Sequence, residues 1–122
     1  MLKGMQILVA EDEYLISVVI EDYLSELGCE AVYTASRLPI ALDRARTLPL
    51  DMALLDVNLA GQMSYPAAEI LRSRSVPFMF VTGYGTAGLP GSLRTVPVLG
   101  KPFEKEQFAM AIRSLLGRPP GQ

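Results

Sequence analysis

In the stretch Gln6-Ile7-Leu8-Val9-Ala10-Glu11-Asp12, an apolar run stops on two adjacent acids. A run this short has the length of a strand, and the lack of polar alternation marks a strand covered on both faces. The same layout recurs three times. Met52-Ala53-Leu54-Leu55 stops on Asp56, Pro77-Phe78-Met79-Phe80-Val81 on Thr82, and Val96-Pro97-Val98-Leu99-Gly100 on Lys101-Pro102. If the four runs are parallel strands of one sheet, their polar terminators share a rim, where open α/β sheets place ligands. Acids gathered that closely ask for a cation.

Between the runs the apolar spacing becomes helical, and the chain reads βαβαβαβαβ without an internal repeat. From about Glu13 to Leu27, the positions Leu15, Ile16, Val19, Ile20, Tyr23, Leu24 and Leu27 keep helical spacing, with Gly28 as the stop. A second strand is expected at about 30–34, then a helix capped by Ser36 and reaching about Arg46, with Pro39 in its first turn. The third strand spans 51–56. Ser64 ahead of Tyr65-Pro66 predicts the cap of a short helix to about Ser73, followed by a strand over Val76–Val81. Residues 83–95 contain Gly83, Gly85, Gly88, Pro90 and Gly91. A helix there would lose roughly 1 kcal/mol per glycine and about 3 for the proline, so a short turn or mobile loop is expected. The last strand, 96–100, leads into a helix from about Glu104 to Leu116 that turns Phe108, Ile112, Leu115 and Leu116 inward. With right-handed crossovers the economical architecture is a doubly wound, five-stranded parallel sheet. Residues 1–117 read as one domain and 118–122 as a tail.

Half of the 122 residues are apolar, enough for a single core. Eleven basic and 13 acidic residues, net −2 with no basic run, offer no electrostatic reason to expect nucleic acid or anionic membrane as partner. One cysteine, Cys29, excludes an internal disulfide and reads as a strand-edge core residue; the absence of histidine removes the ordinary zinc patterns. No signal peptide or membrane-length apolar run is present, so a cytoplasmic location is expected.

In order and spacing, Glu11-Asp12, Asp56, Thr82-Gly83 and Lys101-Pro102 resemble the receiver domain of bacterial response regulators, with the CheY-like, flavodoxin-like fold. The resemblance covers nearly the whole chain. It implies that Asp56 accepts a phosphoryl group, that Asp12, Asp56 and the backbone carbonyl of Asn58 bind Mg²⁺ directly with Glu11 acting through water, and that Thr82 and Lys101 bind phosphoryl oxygens. It also implies a sensor histidine kinase or a histidine phosphotransfer protein as partner, a downstream protein target, and a monomer or weak homodimer. Pro77-Phe78-Met79-Phe80-Val81-Thr82-Gly83-Tyr84 further resembles the Pro-Phe-x-Phe-Ala-Thr-Gly-Tyr signature of a receiver subclass, with Val81 in place of Ala. That subclass is often single-domain, linked to HWE-type or related kinases, with an irregular fourth helix.

Chemistry supports these roles independently. Two unit charges about 4 Å apart repel by roughly 4 kcal/mol at an effective dielectric of about 20, so Glu11, Asp12 and Asp56 are costly together without a cation. Carboxylate and main-chain oxygens suit Mg²⁺. Asp56 is then a nucleophile for phosphoryl transfer that needs no general base, because a carboxylate is already ionised at neutral pH. Lys101 is expected to pair with Asp56 beforehand, so that phosphorylation shifts the conformational equilibrium only in part.

The chain departs from the family pattern at Val98, where receivers usually carry the Tyr or Phe that turns inward on activation. Thr82, Tyr84 and Pro102 are the remaining candidate switch positions, with Tyr84 placed to cover the phosphoryl site. The intervals from Asp56 to Thr82 and from Thr82 to Lys101 are shorter than usual for the family, implying trimmed third and fourth crossovers. Taken singly, each residue has a plainer reading. Glu11-Asp12 suits a helix cap, Asp56 and Thr82 suit turns, and Lys101 suits a solvated charge. Two other functions compete: a degenerate receiver acting as a phosphorylation-independent interaction module, and a small aspartate-based phosphatase, since Asp56-Val57-Asn58 is faintly similar to the nucleophile loop of haloacid-dehalogenase-like enzymes. That loop normally has a second Asp at the place of Asn58 and a nucleophile on the first strand. The degenerate module would lack the acceptor or the lysine, and both are present.

Overall fold

Successive strand residues point to opposite faces of a sheet, and this chain has an apolar layer for each face. The computed structural model describes residues 1–83 and 88–117. In chain order its elements are β1 (Gln6–Ala10), α1 (Tyr14–Glu26), β2 (Ala31–Ala35), α2 (Leu38–Thr47), β3 (Met52–Leu55), the hairpin strands β4 (Asn58–Leu59) and β5 (Gln62–Met63), α3 (Tyr65–Ser73), β6 (Phe78–Thr82), a 3₁₀ turn (Gly91–Leu93), β7 (Val98–Gly100) and α4 (Lys105–Leu116). The main sheet is parallel, ordered β2-β1-β3-β6-β7, as expected of a doubly wound fold.

On one face Ile7, Val9, Met52, Leu54, Met79 and Val81 pack with Ile20 and Leu24 of α1 and Phe108, Ile112 and Leu115 of α4. On the other, Leu8, Ala10, Ala53, Leu55 and Phe80 pack with Ala41 and Ala45 of α2 and Ala67, Ala68 and Leu71 of α3. The helices of the second layer contribute mostly alanine. α1 buries a narrower stripe than its apolar spacing predicts: Leu15 and Val19 are exposed, and Ile20 and Leu24 carry the packing. Leu116 is only half-buried. Gly28, at φ +95°, follows the helix as expected. Cys29 is half-buried and bridges to Lys3, while Leu2, outside the sequence-derived core, is fully buried.

Several boundaries move for identifiable reasons. β2 runs to Ala35 because Ala10 pairs with it and the Glu11 N–H reaches the Ala35 carbonyl at 3.0 Å. The cap of α2 therefore falls on Arg37, without a side-chain cap bond, rather than on Ser36. β6 and β7 start two residues later than expected because Pro77 and Pro97 have no N–H for the ladder. Their carbonyls still accept from Ala53 and Phe80, both at 3.0 Å. In the glycine-rich fourth crossover the 3₁₀ turn is the only helical element among the described residues. Buried Leu89 and Leu93 seat it, and the Arg72 guanidinium donates to the Ser92 carbonyl at 2.6 Å.

Ser64 does precede α3 as its N-cap, but its hydroxyl makes no cap bond. An N-cap side chain normally bonds the N–H of the second or third helical residue, and the second here is Pro66, which has none. The Ser64 hydroxyl is left fully buried and unpartnered. Removing an unsatisfied buried hydroxyl recovers desolvation energy, so Ser64→Ala is expected to raise unfolding stability by about 1 kcal/mol in urea titrations. A loss of that size would show that the hydroxyl is satisfied.

Candidate functional site

The main-chain ladder places the site residues. Each of three of them stands one position past a strand and keeps its N–H in the neighbouring strand's register. The Glu11 N–H donates to the Ala35 carbonyl (3.0 Å), that of Asp56 to Ala10 (2.8 Å) and that of Lys101 to Thr82 (3.0 Å). Parallel pairing of Ala10 with Leu55, and of Thr82 with Gly100, brings the four strand ends to one edge. There they border a cavity of about 550 Å³ lined by Asp12, Glu13, Ile16, Asp56, Asn58, Gly83, Lys101 and Pro102.

Glu11, Asp56 and Thr82 are buried, and Asp12 is exposed at the mouth. Lys101 reaches across the floor and joins two acids at once, with Nζ 2.5 Å from Glu11 Oε1 and 3.0 Å from Asp56 Oδ2. The pairing with Asp56 was expected from the sequence; that with Glu11 was not. Burial would lower the Lys101 pKa, but the contacts with Glu11 and Asp56 outweigh it, and the ammonium is held above its usual value. Burial pushes the Glu11 carboxyl up to about 7, against the pull of Lys101 and of the Glu13 N–H that donates to its Oε2 at 3.1 Å. The side chains of Glu11 and Asp12 make no helix-capping bond, since α1 begins after Glu13.

Glu11, Asp12 and Asp56 each hold one carboxylate oxygen within 4.8 Å of the others, a donor set of hard oxygens that fits a small divalent cation. Asn58 lines the same cavity from β4, with its Oδ1 accepting the Gly61 N–H at 2.7 Å. Pro102 lines it too, after a cis Lys101–Pro102 peptide. Tyr84 and the tail 118–122 lie outside the described residues. Val98, in the place of the family's aromatic, is half-buried against the α2–α3 layer.

The sequence reading missed Glu13, whose carboxylate is 3.9 Å from Lys101 Nζ, although its place in the acidic run Glu11-Asp12-Glu13 was a signal. It also missed the β4–β5 hairpin. Two-residue strands carry almost no periodicity, and Ala60-Gly61 only half matches the usual turn pairs.

A model of the response regulator receiver domain matches residues 7–113. This chain belongs to that family. As a receiver it is similar to SdrG from Sphingomonas melonis Fr1, with 41% identity, a TM-score of 0.82, and coverage of 95% of this chain and 99% of that one. It is similar as well to the receiver domain of the sensor histidine kinase PA1611 from Pseudomonas aeruginosa PAO1, at 25% identity and a TM-score of 0.78, covering 94% of this chain and 99% of that one. That domain holds a magnesium ion in its active-site cleft. The cell cycle response regulator CtrA of Brucella ovis is 27% identical over 96% of this chain and 52% of its own length, so the receiver spans about half the length of the curated relatives it matches. Receiver domains serve two-component signalling and are generally not catalytic enzymes. Among the described residues, no helix is long and apolar enough to cross a membrane.

The raised Glu11 pKa sets a pH dependence. Between the unperturbed value of 4.5 and about 7 the folded chain holds a proton that the unfolded chain has released, so stability falls as pH rises through that window. In a chelated, metal-free buffer, urea midpoints should decline from pH 5 to pH 8, and Glu11→Gln should flatten the decline. An unchanged slope in the variant would assign the effect to another group.

Proposed function

We propose that this receiver is a phosphoacceptor, with Asp56 as the acceptor and a phosphohistidine on a sensor histidine kinase or a histidine phosphotransfer protein as donor. Residues 1–117 form the module, and its place is the cytoplasm. The observation that carries the reading is the Lys101 ammonium 3.0 Å from Asp56 Oδ2 at the floor of an open cavity. The carboxylate is paired with a cation and lines the cavity, as an aspartyl nucleophile requires.

An Asp56 carboxylate oxygen attacks the phosphorus in line, forming a P–O bond as the P–N bond of the donor breaks and the imidazole nitrogen keeps the electron pair. Lys101 and the buried Thr82 hydroxyl then bind phosphoryl oxygens. Asp12, Asp56 and the main-chain carbonyl of Asn58 hold Mg²⁺, with Glu11 contributing through water. Glu11's engagement with Lys101 supports that indirect role, and the capture of Asn58 Oδ1 by Gly61 supports a main-chain role for Asn58. When bound, the ion neutralises charge on the transferred group.

Lys101 has partners before phosphorylation, so the bonds gained afterwards are fewer than a lysine turned to solvent would gain. Driving a two-state element from 1:99 to 99:1 takes about 5.5 kcal/mol, whereas a charged hydrogen bond contributes about 1.5–3. The switch is therefore partial. Its readout is an altered protein contact through the segment 88–97, β7 and α4, or onward transfer as a phosphoryl shuttle or sink.

The test is incubation with Mg²⁺ and acetyl phosphate, read by intact mass. Wild type should gain one phosphoryl group and Asp56→Asn none; an adduct surviving in the variant would remove Asp56 as acceptor. With Mg²⁺ and beryllofluoride, amide spectra of the wild type should show a mixture of two conformers. Complete conversion would contradict the partial switch.

A further inference from the structure

Between Asp56 and α3 the chain folds a hairpin over the mouth of the site. Asn58 pairs with Met63 and Leu59 with Gln62, leaving Ala60-Gly61 as a two-residue turn. Both turn residues have positive φ, +52° at Ala60 and +94° at Gly61, which is the pattern of a type I′ turn. Two hydrogen bonds and one buried side chain fix the hairpin. Leu59 is fully buried in the α2–α3 layer, the Asn58 carboxamide accepts the Gly61 N–H, and the Ser64 N–H donates to the Val57 carbonyl at 2.8 Å. From that anchored base, the Ala60 N–H donates across 48 positions of sequence to Asp12 Oδ2, at 3.2 Å.

We propose that the β4–β5 hairpin is a positioning device for Asp12. Through the Ala60 amide it selects the orientation in which the Asp12 carboxylate meets those of Glu11 and Asp56, and so sets the affinity of the acidic site for a divalent cation. Glu11 and Asp56 need no such help, because burial and Lys101 hold them. Asp12 is the exposed member of the set, and a carboxylate free to rotate in water loses rotamer entropy each time it binds an ion. The amide bond occupies one side-chain oxygen and leaves the other available. Partners of this kind are what orient metal ligands generally. Ala60 is not the residue a type I′ turn favours, since a side chain at φ +52° is strained. The strap is thus weaker than Asn-Gly would make it, and affinity is open to change in either direction.

This inference rests on the reading of Glu11, Asp12 and Asp56 as a Mg²⁺ site, and the experiment separates the two. Mg²⁺ affinity is measured by calorimetry and amide shifts on the unphosphorylated full chain. Ala60→Asn, which supplies the preferred turn pair, should tighten Mg²⁺ binding by about two- to threefold, while Gly61→Val, which cannot hold φ +94°, should weaken it by about tenfold. Ser75→Gly is the control for stability alone, relieving a similar positive φ of +58° at the end of α3 without moving affinity. Exchange of the residue-60 amide should quicken in Asp12→Ala. Weaker binding or no change in Ala60→Asn would overturn the positioning role even with wild-type binding intact. A wild type that fails to bind Mg²⁺ at all would overturn the site reading and this inference together.

Discussion

One ammonium shared between two buried carboxylates is the constraint on which the rest of this structure depends. Glu11 and Asp56 end adjacent strands, and parallel pairing offers no way to part them, because their N–H groups belong to the ladder. Lys101, from the far edge of the sheet, supplies the missing charge. It crosses from β7, which lies beside β6 and is separated from β1 by β3 and β6. The same arrangement leaves Asp56 lining the cavity while Glu11 is buried beneath it.

Two layers of unequal bulk support that rim. The α1–α4 side is filled by isoleucine, leucine, valine, methionine and phenylalanine, and the α2–α3 side by alanine and leucine with two phenylalanines from the sheet. Leu59 enters the second layer, which is why the hairpin at the mouth is rooted in the core rather than draped over it. Packing thereby reaches the site at two depths. The ladder sets the buried acids, and a plug one hairpin away sets the exposed one.

Strands and their terminators were legible in the sequence because buried parallel strands are unbroken apolar runs and a polar residue at each end is conspicuous. Glu11, Asp12, Asp56, Asn58, Lys101 and Pro102 accordingly meet where the runs predicted, with Thr82 buried at the end of β6. What escaped is what depends on atoms rather than on pattern. Ser36 looks like a cap, yet a strand lengthened by a single pair displaces the helix start to Leu38. Leu15 and Val19 fit a helical stripe, but the stripe a sheet can cover is narrower than the apolar spacing of α1. The choice of Glu11 as a second partner for Lys101, and of Asp12 as acceptor for an amide 48 positions on, has no one-dimensional signature.

Because the sheet's own ladder aims Glu11, Asp56 and Lys101, the crossovers are spared that duty except where the β4–β5 hairpin holds Asp12. The fourth crossover illustrates it: with only a 3₁₀ turn among its described residues, it still delivers Lys101 to the Thr82 carbonyl at 3.0 Å. The path of that crossover is consequently separable from the placement of the strand ends: its described loop could be rebuilt while the ladder still holds Glu11, Asp56 and Lys101 on one rim.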